Sequence, residues 1–315
     1  MNRSPETLSL ERTADGDFFI GRRAFLCRGG LFMAASTVGL PCFAGADEGQ
    51  ASVGKPLVRI GLMTDVHYAD RDTAGTRCYR ESVLKVREAV NQFNAAEAHV
   101  AVELGDFIDA ADTVEGELGH LKTIEAEYVK FAGDRHHVLG NHCVWTLTKK
   151  QFLETCGQKI SYYSFDKGGT HFVILDACYR KDGVAYGAKN FEWTDTEIPA
   201  EEQAWLKADL DSTSNSAVAF VHQRLDVAEH YGVHSGPAVR NILEDSGKLL
   251  AVFQGHYHLN EYEEINKIHY CTLRSVVDGS GEKNSAYAIV DIYGDGSLRV
   301  DGFRRQTGYS LKVLS

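Results

Sequence analysis

The run at 57–67, Leu-Val-Arg-Ile-Gly-Leu-Met-Thr-Asp-Val-His, stops on Asp65 and His67. Residues two apart on an extended chain face the same side, so a carboxylate and an imidazole project together where this strand emerges. Four later apolar runs end in the same way. The run at 100–104 leads to Asp106 and Asp109 in Gly-Asp-Phe-Ile-Asp, and 136–139 leads to Asn141 and His142 in Gly-Asn-His. The run at 217–221 stops on His222, and 249–253 leads to His256 and His258 in Gly-His-Tyr-His. Taken singly, each fragment reads as a turn or a core histidine. Five strand ends in succession point to one metal centre, because open α/β sheets gather their sites outside the carboxyl ends of strands. Carboxylate, amide and imidazole donors without thiolate suit Mn, Fe, Co or Zn and single out none of them.

The elements that must hold these ends show in the periodicity. Tyr79, Val83, Val86, Val90 and Phe93 recur at spacings of four, three, four and three, the stripe of an amphipathic helix. Leu118, Leu121, Ile124 and Tyr128 predict a second helix, 148–156 a brief one, and 200–211 another that carries Trp205, Leu206 and Leu210. A further helix begins at Pro237. The segments 160–165 and 171–175 predict a β-hairpin with the five-residue loop Asp-Lys-Gly-Gly-Thr. The connection at 177–199 has no clear period, and a loop of that length is either functional or mobile. The segments 268–273, 286–293 and 297–302 make the end of the chain β-rich, with Gly294-Asp295-Gly296 as a turn. Strands alternating with helices, then a run of strands, predict a layered α/β domain whose sheets lie between helices.

Composition narrows the partners. From residue 47 onward 28 basic residues face 40 acidic ones, a net charge of -12, which argues against nucleic acid or an anionic membrane as partner. Five cysteines remain there, Cys78, Cys143, Cys156, Cys178 and Cys271, an odd number without a Cys-x-x-Cys, so neither a zinc ribbon nor a disulfide framework is expected. They read as buried small apolar residues, with Cys143 set apart by its neighbour His142. The histidines His120, His136, His137 and His171 read as structural.

Residues 1–46 read as an address and 47–315 as a single domain. Gly21-Arg22-Arg23-Ala24-Phe25-Leu26-Cys27 precedes a mildly apolar run at 29–43, and Ala44-Gly45-Ala46 offers a small-residue cleavage site. This arrangement resembles a twin-arginine export signal, with Gly21 and Cys27 where the pattern prefers Ser or Thr and Lys. The resemblance implies handling by an export machinery and delivery to the periplasm or the exterior. The apolar run is too short for a comfortable membrane span, so no stable membrane insertion is expected after signal removal.

Asp-x-His, Gly-Asp-x-x-Asp, Gly-Asn-His, a single His and Gly-His-x-His, in that order over 65–258, resemble the motifs of the calcineurin-like metallophosphoesterase superfamily. The resemblance implies a four-layer αββα sandwich and two divalent ions. The first would take Asp65, His67, Asp106 and His258; the second would take Asp106, Asn141, His222 and His256, with Asp106 bridging. It implies hydrolysis by a metal-bridging hydroxide, with His142 protonating the leaving oxygen and Asp109 holding that imidazole. Purple acid phosphatases share the layout but carry Tyr where Asp109 stands, so no tyrosinate colour is expected. Within the superfamily, Thr64-Asp65-Val66-His67-Tyr68-Ala69-Asp70, Gly75-Thr76-Arg77-Cys78-Tyr79-Arg80, Leu104-Gly105-Asp106-Phe107-Ile108-Asp109 and Gln203-Ala204-Trp205-Leu206 resemble the manganese-dependent ADP-ribose/CDP-alcohol diphosphatases. Cys143 stands where many of these carry Glu, and the 177–199 connection is shorter than in the eukaryotic ones.

The expectation is therefore a phosphoester hydrolase that uses two divalent metals, manganese by resemblance. Its substrate would be a small, nucleotide-like molecule with a phosphoanhydride or phosphodiester bond. A broad phosphomonoesterase on the same site and a metal-stabilised binding module without turnover are the alternatives. Arg77 and Arg80 are candidates to meet a distal phosphate. Tyr186, Phe191 and Trp193 are candidates to stack on a base or cover the site. Export carries its own test: replacing Arg22 and Arg23 together with Lys is expected to retain the precursor inside the cell, read by fractionation, and undiminished export would remove the twin-arginine assignment.

Overall fold

Along the chain the elements are β1 (Val58–Met63), α1 (Ser82–Ala95), β2 (Val100–Glu103), α2 (Val114–Tyr128), β3 (Asp134–His137), α3 (Lys149–Cys156), β4 (Tyr163–Lys167), β5 (Thr170–Ile174), α4 (Ala200–Ser212), β6 (Ser216–Phe220), α5 (Gly236–Ser246), β7 (Leu249–Gln254), β8 (Glu261–Ile265), β9 (Ile268–Thr272), β10 (Ala286–Ile292), β11 (Leu298–Arg304) and β12 (Tyr309–Leu311). The structure, a computed structural model, describes residues 54–228 and 230–313 in full. Before them it describes four short antiparallel strands, Glu11–Arg12, Phe18–Phe19, Ala24–Cys27 and Gly30–Met33. These strands belong to a unit of their own, Met1–Ser52, and Val53–Ser315 form the other. Arg22, Arg23 and the 44–46 stretch lie outside the described residues. Among the described residues no helix is long and apolar enough to cross a membrane.

Two six-stranded mixed sheets carry the domain, in the orders β12-β11-β10-β1-β2-β3 and β8-β9-β7-β6-β5-β4. The central strands run parallel within each sheet, β1, β2 and β3 in one and β5, β6 and β7 in the other, so the ligand-bearing ends, those of β1, β2, β3, β6 and β7, lie at the carboxyl edges. The alternation of side chains explains the layers. Ile60, Leu62, Val100 and Val102 point inward against Phe172, Ile174, Phe220 and Phe253 and form the core between the sheets. Met63 and Ala101 point outward to Val86, Val90 and Phe93 of α1 and to Leu121, Ile124 and Tyr128 of α2. On the other side Val173, Ala219 and Val252 meet Leu206 and Leu210 of α4 and Val239 and Leu243 of α5. Each fully buried aliphatic or aromatic side chain contributes roughly 1.5–3 kcal/mol, so both faces of both sheets are held. This is the four-layer αββα sandwich that the motifs implied. Strands covered on both faces read as unbroken apolar runs, which is why they stand out in the sequence.

Three features differ from expectation. The β4–β5 hairpin has a two-residue turn, because Asp166 pairs with His171 and Lys167 with Thr170. Gly168 and Gly169, at φ of 59° and 78°, form a left-handed turn whose twist matches the strands, so the flanking polar residues stay in the ladder. Strands β8 and β12 carry no apolar run to announce them: β8 is Glu-Tyr-Glu-Glu-Ile, a charged edge strand, which suits an edge that must not pair with another chain. The 177–199 connection is anchored, neither helix nor open lid. Tyr186 stacks on Phe191 at 3.8 Å between ring centroids, and its hydroxyl donates to the Asp195 carbonyl at 2.6 Å.

His136 illustrates how the edge strand is closed. Its ring lies flat on Phe165 at 4.0 Å, with Nδ1 2.7 Å from the Tyr163 hydroxyl. Burial pushes the imidazole down to about 4. The unfolded chain takes up this proton first, near pH 6.5, so the contribution is whole above that pH and is lost as the pH falls to about 4, an interval worth up to about 3 kcal/mol. His136→Phe is expected to keep the stack and lose this acid sensitivity. Urea unfolding of parent and variant from pH 7 to 4 should show their difference changing by about 1–3 kcal/mol in the variant's favour.

Candidate metal centre

The strand ends turn sharply. Asp65, His67, Asp106, His256 and His258 all have φ in the left-handed region, between 44° and 69°. For residues with a Cβ this costs roughly 1–2 kcal/mol each, so the surrounding structure must hold them there. Loop-to-loop hydrogen bonds do so. Asp65 N–H donates to the Gly105 carbonyl at 3.0 Å, His67 N–H to the Asp106 carbonyl at 2.8 Å, and Asp109 N–H to the Tyr68 carbonyl at 3.0 Å.

Each of the two inner carboxylates has one oxygen tied and one left facing the centre. Asp65 Oδ2 accepts the His256 N–H at 3.0 Å and the Thr64 hydroxyl at 2.9 Å; Asp106 Oδ1 accepts the His142 N–H at 2.7 Å. The free Asp65 Oδ1 lies 3.3 Å from His258 Nε2 and 3.7 Å from His67 Nε2. The free Asp106 Oδ2 lies 3.6 Å from His67 Nε2 and 3.2 Å from His222 Nε2. Two groups result, Asp65 with His67 and His258, and Asp106 with His222 and His256, the ligand atoms in each within 4.8 Å of one another. Asn141 joins His256 and Asp106 in the lining of the same cleft.

The donor set fits divalent cations on structural grounds. Asp65 Oδ1, Asn141 Oδ1, His222 Nε2 and His256 Nε2 are buried and have no hydrogen-bond partner. Leaving a buried polar atom unpaired costs roughly 1–3 kcal/mol, and here four such atoms face one region. The opposite ring nitrogens are engaged: His222 Nδ1 with the Leu104 carbonyl at 2.8 Å and His258 Nδ1 with Asp278 Oδ2 at 3.1 Å. Such outer contacts fix the ring so that Nε2 is presented to an ion. Burial works against charge on His222 and His258, yet Asp106 and Asp65 push them up to about 9. Burial and the neighbouring His222 push His256 down to about 3. Burial would raise Asp65 and Asp106 too, but the surrounding imidazoles hold both below the carboxylate range.

Asp109 stands beside this centre as a hub. Its Oδ1 is 3.0 Å from His142 Nδ1, and its Oδ2 is 3.0 Å from Arg71 Nη2, 3.3 Å from Arg77 Nη1 and 3.5 Å from His67 Nδ1. Despite burial, His142 and His67 keep Asp109 ionised below its ordinary value. Burial disfavours the His142 imidazolium, but Asp106 and Asp109 outweigh it and raise its pKa.

A cleft of about 480 Å³ opens over the centre, bounded by Thr76, Arg77, His142, Trp193, Tyr231, Tyr257 and Asp278. Arg77 therefore lies where a phosphate could meet it. Arg80 does not: it pairs with Asp70 and Asp72 on the surface. Tyr186 and Phe191 are buried beneath the connection and line no part of the cleft, since stacking on each other satisfies them better than exposure. Trp193 does line it, 38% exposed and 5.4 Å from the His256 ring. Cys143 is buried, as are Cys78, Cys178 and Cys271, whereas Cys156, expected to be buried too, is half-buried at the end of α3. The Cys143 sulfur accepts the Phe107 N–H at 3.4 Å, and burial raises its thiol. Sequence reasoning passed over Arg71, Tyr231, Tyr257 and Asp278. Tyr257, between two ligand candidates, was marked by position alone, whereas Asp278 lies in a loop with no periodic signal.

The motif glycines are spacers for one another's ligands. A Cβ on Gly105 would sit 2.5 Å from His222 Nδ1, on Gly140 2.3 Å from Asp106 Oδ1, and on Gly255 2.0 Å from Thr64 Oγ1. Gly140→Ala is expected to displace Asp106 and lower Mn²⁺ affinity about 10–100-fold, with an unfolding cost of roughly 1–3 kcal/mol. Metal titration of the purified variant checks this, and parent-like affinity would show that the glycine does not set the carboxylate.

Residues 58–260 match the family model of the calcineurin-like phosphoesterases. A manganese-dependent ADP-ribose/CDP-alcohol diphosphatase of Arabidopsis thaliana is 24% identical over 306 residues, covering 80% of this chain and 96% of that protein. A protein of the same description from Oryza sativa subsp. japonica is 23% identical, covering 79% and 92%. A crystal structure of a dimetal phosphatase from Danio rerio superposes with a TM-score of 0.72 at 22% identity, covering 82% of this chain and all of the other, a likeness of fold. With five strand ends converging on one oxygen- and nitrogen-lined centre, and the family match spanning all of them, this chain belongs to the calcineurin-like phosphoesterase family.

Proposed function

We propose that this protein hydrolyses a phosphoanhydride or phosphodiester bond in a small nucleotide-like substrate, using two divalent cations. The observation that carries the reading is Asp106, whose Oδ2 faces both His67 and His222 and so links the two ligand groups. Asp65, His67, Asp106 and His258 would hold one cation, and Asp106, Asn141, His222 and His256 the other. Mn, Fe, Zn and Co all suit these donors, and the manganese dependence named for the plant relatives favours Mn. Two such ions neutralise charge on phosphoryl oxygens and make an attacking water acidic near neutral pH.

The chain's own groups do the rest. With Nδ1 engaged by Asp109, His142 presents Nε2 to the cleft and holds a proton for the leaving oxygen. Arg77 offsets the acidic surface at a non-reacting phosphate. Trp193, Tyr231 and Tyr257 supply flat walls for a base, and the cleft lies within the usual size of small-molecule sites. The diphosphatase activity named for the two plant proteins supports an anhydride substrate of this kind. We place the enzyme outside the cytoplasm, reached through the twin-arginine-like signal, a route that suits a protein loaded with metal before crossing.

His142→Ala is expected to lower kcat by about 10²–10⁴ while metal content stays at the parent level. With Mn²⁺, ADP-ribose or a CDP-alcohol should be turned over in preference to p-nitrophenyl phosphate. Preference for the simple monoester would replace this reading with a broad phosphomonoesterase, and metal binding without any turnover would replace it with a binding module.

A further inference from the structure

A second cluster of ligand-type side chains lies on the helix side of the first sheet, away from the cleft. Glu125 on the last turn of α2, His137 at the end of β3 and Cys156 at the end of α3 each place one ligand atom within 4.8 Å of the others. His137 is buried among the rings of Phe107, Tyr128 and Phe152. Its Nε2 lies 3.2 Å from Glu125 Oε2, and its Nδ1 lies 3.6 Å from Glu103 Oε2. Nothing in the proposed reaction uses these groups.

Two observations suit the cluster to a cation. First, Glu125 and Glu127 both occupy the carbonyl end of α2, where the helix disfavours negative charge. Glu127 is answered by Arg87 at 2.9 Å and Lys130 at 2.7 Å, whereas among the described residues no lysine or arginine pairs with Glu125. Second, Glu125 Oε2, Glu103 Oε2 and His137 Nδ1 are buried without a hydrogen-bond partner, and the Glu103 side chain is wholly buried. Glu103 Oε1 is tied to the Gly105 N–H at 2.9 Å, which leaves Oε2 aimed at the imidazole. A carboxylate behind a histidine whose other nitrogen faces an acidic and a thiol ligand is the outer arrangement that orients histidine on zinc.

We infer that Glu125, His137 and Cys156 bind a single zinc-type ion, separate from the two-cation centre, with Glu103 as the carboxylate that orients His137. One thiolate, one imidazole and one carboxylate suit a softer ion than the thiolate-free centre in the cleft does. His137 and Cys156 border an open cleft of about 590 Å³ with His136, Gln158 and Tyr163, which gives the ion a path and leaves room for a water as fourth ligand. The ion would pin the ends of α2, β3 and α3 together.

Cobalt separates this site from the other, because only this one offers a thiolate. Metal-free full-length protein titrated with Co²⁺ should take up three equivalents and develop a near-ultraviolet thiolate-to-cobalt charge-transfer band. Cys156→Ser should abolish the band and leave two equivalents; Cys143→Ser should keep the band. Glu125→Gln, measured by competition with a chromophoric zinc chelator, should weaken the third equivalent at least tenfold. Two equivalents without the band, a band that survives Cys156→Ser, or parent-like zinc binding in Glu125→Gln would each overturn the inference.

Discussion

The burial of the Asp106 carboxylate is the constraint on which the centre depends. An ionised carboxylate taken out of water is stable only if charge and hydrogen bonds replace hydration. At Asp106 the replacement is divided: a backbone N–H from the Gly-Asn-His turn holds one oxygen, and imidazoles from two other strands face the second. The carboxylate can sit there only because Gly140 has no Cβ. One side chain thereby ties the ends of β1, β2, β3 and β6, and any shift in those strands is felt as a badly solvated charge.

The same logic runs through the other turns. Left-handed backbone at five non-glycine residues and four unpaired ligand atoms are both unfavourable in isolation. They persist because three apolar cores, one between the sheets and one outside each, hold the strands without help from the centre. The scaffold supplies stability, and the turns spend part of it on aiming side chains. A centre prepared in this way meets a cation with little rearrangement, which is what transition-state electrostatics require of a phosphoryl-transfer site.

Much of this was legible in the sequence because burial on both faces leaves a continuous apolar run, and the turn beyond each run begins with an uncommon residue. Asp65, His67, Asp106, Asn141, His222, His256 and His258 could thus be picked out in order, and the structure brings all of them to one edge. The substrate side was far less legible. Arg77 and Arg80 sit three apart just before α1 with nothing in the sequence to distinguish them, yet one reaches Asp109 and the other turns to Asp70 and Asp72. Tyr186, Phe191 and Trp193 share one loop, but only tertiary packing decides that the first two stack inward and the third faces the cleft. The β8 and β12 strands went unseen because an edge strand is recognised by its partner, not by its composition.

Charge gives the reason why the cleft, rather than the whole surface, must select the substrate. A chain carrying -12 from residue 47 onward repels a phosphorylated molecule at long range. Within the cleft the balance reverses over a few ångströms. Arg71 and Arg77 converge on Asp109 and leave net positive charge beside it, while Asp106 and Asp109 raise the His142 pKa against burial. Without cations, protonated His222 and His258 balance Asp65 and Asp106; a divalent ion would displace those protons, and its charge, added to that of Arg71 and Arg77, would make the cleft attractive to phosphate. On the proposed reading, bound metal would serve substrate binding as well as chemistry, and the acidic exterior would discourage phosphate from adhering elsewhere.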